Sequence, residues 1–443
     1  MPLIFERDFI FFMKPLLNIL CVSALLVSSA SASALSVDWG ASFRLRGEIK
    51  KGLDFNDAQQ DYALLRSRIG ADIAFNSNLS LTAELQDARV FNVDANTIPN
   101  INDQALDQPF ADDLDIHRLA LNFQNDDFNI KLGRQKLNLG DKRLAASLEW
   151  VNTARVHDGL KIDYRNSNLE FSAFATELVS IDPNNLNDGA DTGNRYFDSQ
   201  FNGAFISQKD AFNVDLIQAW WFQRRNSAFN DDIHTFGVRA TKQMDDWVLE
   251  GQASIQGGDF GGLDHQAAMA QASLAKKLGE GVLSLGLAWA SGDDAPNDDK
   301  HSTFDNLYPL NHAYYGYLDL LSLQNLRTVE LNYKRAFLND KFKFRAALHG
   351  FWLDEKNDQW YDAGLKPVAG RLIAANRINN RERYLGGELD ISAEYQVENT
   401  AFKGLNFLAG YSHFESGDRI TADPDSGLLS NADFIYLQVH LKL

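Results

Sequence analysis

From Phe43 to Lys50 the chain alternates without a break, with Phe43, Leu45, Gly47 and Ile49 on one side and Arg44, Arg46, Glu48 and Lys50 on the other. Successive side chains of a strand point to opposite faces, so this period of two predicts a β-strand with one apolar and one wet face. Leu65, Ile69, Ala71, Ile73 and Phe75 repeat the pattern against Arg66, Arg68 and Asp72. After the turn cluster Asn76-Ser77-Asn78, Leu79, Leu81, Ala83 and Leu85 oppose Ser80, Thr82, Glu84 and Gln86. The same alternation predicts 18 strands, near 38–49, 62–75, 79–91, 114–123, 128–137, 157–165, 169–177, 201–208, 211–223, 233–243, 247–257, 266–277, 281–291, 327–336, 341–353, 383–396, 404–415 and 432–443.

The connections decide what these strands build. Short turns (124–127, 166–168, 244–246) alternate with long segments (92–113, 178–200, 292–326, 354–382). An even strand number with short turns at one end and long loops at the other is the pattern of an outer-membrane barrel. The expected fold class is all-β: a transmembrane antiparallel up-and-down β-barrel of about 18 strands, with short periplasmic turns and long extracellular loops. A soluble β-sandwich also alternates, but its wet side faces outward and its inner faces pack on each other. Closure follows from bilayer physics, since an open sheet edge in hydrocarbon leaves backbone groups unpaired. Aromatics near the strand ends suit two interfacial girdles: Phe75, Phe123, Tyr164, Trp247, Phe342, Tyr395 and Phe407 toward the turns, Trp220, Trp289 and Trp352 toward the loops.

Charge and composition fit this reading. A net charge of −18 argues against nucleic acid as a partner. No segment reaches 18 consecutive apolar residues, which excludes helical spans but not strands, where only alternate residues meet lipid. Residues 1–34 read as a signal peptide: Met13-Lys-Pro, an apolar core from Leu16 to Val27, then the small residues Ser28 to Ala34. Met13 is the expected start. Residues 35–443 form the expected single barrel domain, secreted to a bacterial outer membrane. Cys21 is the only cysteine and lacks the small residue before it that a lipoprotein site needs, so neither a disulfide framework nor a lipid anchor is expected.

Strand parity places Arg44, Arg46, Arg66, Arg68, Arg118, Lys131, Lys161, Arg239, Lys334, Lys343 and Arg345 on the inner face. Glu48, Asp72, Glu84, Asp163, Glu250, Glu330, Glu388, Asp390 and Glu394 join them there. A ring of guanidinium groups selects anions, and Arg in particular grips carboxylates with its planar fork. The competing reading is that these charges only pair with one another across strands. Parity leaves both open. The loops carry acidic clusters at Asp112, Asp113 and Asp115, and at Asp293, Asp294, Asp298 and Asp299. They suit either weak Ca²⁺ binding or solvated loops bridged to lipopolysaccharide by loosely held divalent ions. No other cofactor is expected. The histidines form no H-E-x-x-H pair, and no aligned nucleophile and base is visible, so an enzyme is not expected.

Three segments are distinctive: Gly133 to Arg143 (GRQKLNLGDKR) with Glu149 to Arg155 and His157-Asp-Gly159; Phe304 to Asp319; and Gly386 to Asp390 leading to Gly410–Asp418. Together they resemble the alginate export family of outer-membrane porins. The resemblance implies a monomeric 18-stranded barrel, inserted by the barrel assembly machinery among lipid and lipopolysaccharide. It further implies an arginine-rich constriction that passes an anionic uronate saccharide by diffusion. A general or organic-anion porin of the same type is the alternative. The resemblance also implies that Arg134, Asp141, Arg143, Asn152, Arg155 and Asp158 lie in or beside a loop that narrows the pore, which for Arg134 needs a bulge or the end of pairing before it. His157 departs from the family motif, which has an aromatic before Asp-Gly.

Overall fold

A computed structural model describes residues 35–443 except 54, 56–58, 93–109, 182–194, 197–198, 398–403 and 423–430. The segment read as a signal peptide therefore lies outside the described residues. The strands of the first half are β1 (Ser36–Lys51), β2 (Gln59–Ala74), β3 (Leu79–Phe91), β4 (Asp112–Gln124), β5 (Phe128–Gln135), β6 (His157–Arg165), β7 (Leu169–Leu178), β8 (Gln200–Ala211) and β9 (Val214–Asn226). The second half has β10 (Asp231–Met244), β11 (Trp247–Phe260), β12 (Leu263–Leu278), β13 (Gly281–Ala290), the two-residue β14 (Lys300–His301), β15 (Leu326–Phe337), β16 (Phe342–Leu353), β17 (Tyr384–Gln396), β18 (Asn406–Ser416) and β19 (Ala432–Lys442). All but β14 pair antiparallel with their chain neighbours, and the β1–β19 ladder from Ser42↔Lys442 to Lys51↔Asp433 closes the ring. The result is an 18-stranded closed barrel; β14 is a short parallel addition to β12 in a loop.

The alternation read from the sequence is the alternation of the wall. On β1 and β19, Phe43, Leu45, Ile49, Ile435 and Leu437 are exposed outward, while Arg44, Arg46, Glu48, Phe434 and Tyr436 are buried within. Trp289 and Trp352 sit outward near the loop end, Trp247, Tyr395 and Phe407 near the turn end, as interfacial girdles require. Trp220 corrects the expectation. The register Phe205↔Trp220 points it into the barrel, where it stacks on Phe205 and Phe222, and its neighbour Trp221 takes the outward place. Two connections at the loop end are also short, Ser227–Asn230 and Gly261–Gly262, so the long loops are fewer than the pattern suggested.

The loop end is filled from within. Segments 136–156, 291–325 and 354–383 fold inward around buried Leu137, Phe304, Leu307, Tyr308, Leu323 and Trp360. Burying each such side chain contributes about 1.5–3 kcal/mol, which offsets the entropy of ordering long loops. A fully buried ion cluster ties this core to the wall: Arg224 of β9 donates to Asp305 Oδ2 from Nε (3.0 Å) and Nη2 (2.6 Å), and to Asp231 Oδ2 from Nη1 (2.8 Å). The Gly133 and Gly159 of the first distinctive segment are ladder partners with positive φ. A Cβ on Gly133 would lie 2.2 Å from Leu119 O, and one on Gly159 2.2 Å from Ala175 O. Those two glycines thus keep four strands close.

Candidate functional site

The first basic strands grip the inward loop 136–156 by its backbone. Arg44 donates from Nη1 to Glu149 O (2.7 Å) and from Nη2 to Val151 O (2.9 Å) and Asn152 Oδ1 (3.3 Å). Arg66 Nη1 reaches the same carbonyls of Glu149 and Val151 at 3.2 and 3.3 Å, and Arg46 Nη1 reaches Trp150 O at 2.8 Å. Buried Asn152 completes the grip, its Nδ2 donating to Leu65 O, Arg89 O and Phe110 O. Buried charges must be paired or hydrogen-bonded. Here much of that partnership is with neutral carbonyl oxygens.

One carboxylate enters the cluster from the loop itself. Glu149 lies 2.6 Å from Lys136 Nζ, 2.9 Å from Arg68 Nη1 and 3.2 Å from Arg66 Nη1, with its side chain 39 % exposed. Burial by itself raises such a carboxyl, but Arg68, Arg66 and Lys136 outweigh it and hold the group well below the usual carboxylate range. Arg44 Nε and Arg68 Nη2 have no acceptor among the described residues.

Three strands along the ring from β1, the wall at β17 grips a second loop with the opposite charge. Glu388 Oε1 accepts from Leu318 N (2.9 Å), and Asp390 Oδ1 accepts from Tyr317 N (3.4 Å) and Ser412 Oγ (2.5 Å). His349 Nε2 stands 3.2 Å from Asp390 Oδ2. Basic strands therefore hold carbonyls of one loop and acidic strands hold N–H groups of the other. The loops meet in a column of stacked planes. Arg46 lies 3.8 Å over the Trp150 ring, Trp150 stacks on His312 (3.7 Å), His312 on Tyr317 (4.6 Å), and Arg345 caps Tyr317 at 4.8 Å.

Leu148, Trp150 and His312 line two cavities, one on each side of the column. The vestibule at the turn end is about 1120 Å³ and is bordered by Arg44, Arg66, Arg68, Arg118, Lys136, Lys142 and Lys442 against Asp38, Asp72, Glu84 and Glu149. The outer chamber, about 330 Å³, is bordered by Arg46, Lys50, Arg155 and Arg371 against Glu48, Asp319 and Asp362, together with many apolar side chains.

The other inward candidates are paired in the wall. Arg118 makes a two-bond fork with Glu84 (3.0 and 2.9 Å), Arg239 pairs with Glu250 and Gln218, Arg345 with Glu330 (3.2 Å), and Lys343 lies 3.6 Å from Glu394. Lys131 stands opposite Lys161, which pairs with Asp163. Cross-strand pairing and the basic vestibule therefore coexist. Within the inward loop, Arg143 is bound to Asp141 (2.9 Å) and Tyr315 Oη (2.8 Å), while Arg155 donates to Ala146 O and Pro309 O.

Arg134 and Asp158 correct the pore assignment. The β5–β6 ladder is unbroken from Phe128 to Gln135, so no bulge turns Arg134 inward; it pairs with Asp158 on the outer face through two bonds of 3.0 Å. The bulge lies one strand earlier, between β3 and β4. His157 is buried against Tyr308 and Phe201, filling the slot where the motif has an aromatic. The acids considered for calcium are dispersed: Asp112 and Asp115 are buried on β4, Asp113 pairs with Arg89, and Asp293 and Asp294 belong to another loop. Among the described residues no three His, Cys, Asp or Glu side chains are grouped to hold a metal ion.

Sequence reasoning missed Glu149, Lys136, Trp150, Tyr317, Arg224 and Asp305 as site or anchoring residues. All but Arg224 sit in a distinctive segment, where loop residues have no parity from which an inward direction could be read; Arg224 lies on β9, one residue past the strand end expected at 223.

The sequence pattern of the alginate export family matches residues 36–429. The chain belongs to the alginate export family. No curated protein matches this family member. Its fold is shared with Pseudomonas aeruginosa outer-membrane barrels. OccD3 (OpdP) is similar with a TM-score of 0.62 at 11% identity, covering 94% of this chain and 93% of that one. OpdK, solved with vanillate, gives 0.61 at 13%, covering 92% and 98%. OccK2 (OpdF), in complex with glucuronate, gives 0.57 at 15%, covering 92% and 98%. The family and the fold are those of outer-membrane porin-type barrels.

Proposed function

We propose that this family member is a passive outer-membrane channel for carboxylated solutes, with uronate saccharides as its principal cargo. The observation that carries the reading is the vestibule, where seven Lys and Arg side chains border the cavity against four Asp and Glu. An excess of fixed positive charge in a confined pore concentrates anions and repels cations. Guanidinium forks, unlike ammonium groups, also match the geometry of a carboxylate. Family membership supports a uronate cargo, and the shared fold of barrels solved with glucuronate and with vanillate supports carboxylates in general. The closed barrel acts as a monomer in this reading, with its outward rim against lipopolysaccharide. Divalent ions at the acidic loops bridge to that lipid without forming a resident metal site.

A smaller organic anion is the second reading. The outer chamber favours it, because Leu53, Leu64, Phe110, Leu178, Val179 and Leu372 give a carboxylate's apolar body somewhere to lie. Reversal potentials of the purified protein in planar bilayers under a KCl gradient test both. Anion preference is expected, and Arg66→Glu lowers it; a cation-preferring wild type overturns the reading. Competition by glucuronate oligomers against benzoate-type acids then ranks the two cargoes.

A further inference from the structure

The four arginines that make this barrel look like an anion filter are not waiting for a solute. Arg44, Arg46 and Arg66 are held by carbonyl oxygens of Glu149, Trp150 and Val151, and Arg66 and Arg68 already share a carboxylate, that of Glu149. That carboxylate comes from a loop, not from the wall, and it carries Trp150 beside it. Trp150 in turn stacks on His312 at 3.7 Å and lines both cavities.

We propose that Glu149 occupies a carboxylate receptor made of Arg66, Arg68 and Lys136, and that an incoming carboxylate takes its place and thereby unstacks Trp150 from His312. The inference rests on the anion-channel reading of the lumen. Four features of the site support it. Glu149 is 39 % exposed and borders the vestibule together with Arg66, Arg68 and Lys136, so a solute there meets the ion cluster without first dismantling the wall. The remaining grip on the loop is by neutral carbonyls, which lack the direct Coulombic attraction that a carboxylate adds to its bonds with guanidinium. Arg44 Nε and Arg68 Nη2, without an acceptor among the described residues, gain one when the loop is exchanged for an anion. Finally, the loop is joined to the second inward loop across the Trp150–His312 stack, so its release parts the two chambers' common wall.

The competition also selects the solute. A tethered carboxylate acts at an effective concentration in the millimolar range. A single uronate must therefore reach that level to displace Glu149, whereas a chain of uronates, rebinding by its next residue, does so at lower concentration. A neutral sugar of equal length does not compete. The receptor is thus an internal stand-in for the substrate, and the channel stays narrow until carboxylates arrive.

Single-channel recording in planar bilayers tests this, with glucuronate, hexagalacturonate or maltohexaose added at the turn-end mouth. For the wild type, open probability is expected to rise with hexagalacturonate at about 10-fold lower concentration than with glucuronate, and not with maltohexaose. Glu149→Gln keeps the size of the side chain and removes its charge. It is expected to open about 10-fold more often without ligand and to lose the response. Trp150→Ala is expected to raise conductance with or without uronate while leaving the ion preference unchanged. Wild-type open probability and uronate response in both Glu149→Gln and Glu149→Ala, in barrels that still show heat-modifiable migration, would overturn the proposal. So would unchanged conductance in Trp150→Ala. The reversal potential of the same channels reports the anion reading separately, so failure of one is distinguishable from failure of the other.

Discussion

Asp305→Asn removes one charge from the cluster that fastens the inner core to the wall, and the structure sets its cost. Arg224 is fully buried, donates two bonds to Asp305 and one to Asp231, and stacks over Tyr196 at 4.8 Å. Breaking a buried ion pair costs about 3–5 kcal/mol, mostly because the surviving charge is left without compensation. Asp231 survives here and retains half of the compensation, so the lower end applies, about 3 kcal/mol, or roughly 100-fold in the population of the released segment. Asn preserves the acceptor for Leu307 N (2.8 Å), which confines the perturbation to the charge. Hydrogen exchange of the detergent-solubilised barrel reads it out. The amides of Tyr308, bonded to Leu144 O at 3.0 Å, and Ala146, bonded to Tyr308 O at 2.9 Å, should lose about 100-fold in protection. Those of β9 and β10 should keep theirs. Protection of 304–310 within a few-fold of wild type would show that the core holds the segment without the cluster, and the reasoning would fail.

The outward face of β19 offers a contrast: Leu437→Arg, on a residue 60% exposed to lipid, should cost about 2–4 kcal/mol in urea titrations of the barrel refolded in vesicles, while Gln438→Arg, one residue along and facing inward, should cost far less. Gly316→Ala would place a Cβ within 2.3 Å of the Glu388 carboxylate at a φ of +89°, so protease cleavage within 311–323 should increase, and Glu388→Ala should partly reverse it. The Glu149 carboxyl lies well below its ordinary 4.5. A depressed acid keeps its full contribution above its ordinary value and loses it as pH falls through the lowered one. The uronate response should therefore persist from pH 7 to 4.5, and its disappearance within that window would contradict the triple-cation receptor.

Much of the wall was legible from period alone. Lipid on one side and water or protein on the other impose the same alternation on every spanning strand, so Arg44, Arg46, Arg66 and Arg68 were placed inward correctly. Alternation fails where its assumption fails. A bulge between β3 and β4 changes the count there, whereas the expected one before Arg134 does not exist, leaving that residue and Asp158 on the outside. Trp220 faces inward because cross-strand register, not proximity to a strand end, sets its direction.

By itself, then, the sequence determined a barrel, its strand number, and the sign of charge on most of its inner face. Those properties are local, repeated every second residue and enforced strand by strand. What the inner charges touch was decided only by the tertiary structure. Whether Arg44 or Arg66 meets a solute or a backbone carbonyl depends on where residues 136–156 come to rest, about a hundred residues along the chain from Arg44. The column from Arg46 to Arg345 joins two strands of the wall through two loops. No period in the sequence encodes such a meeting, because it is fixed by packing inside the closed ring.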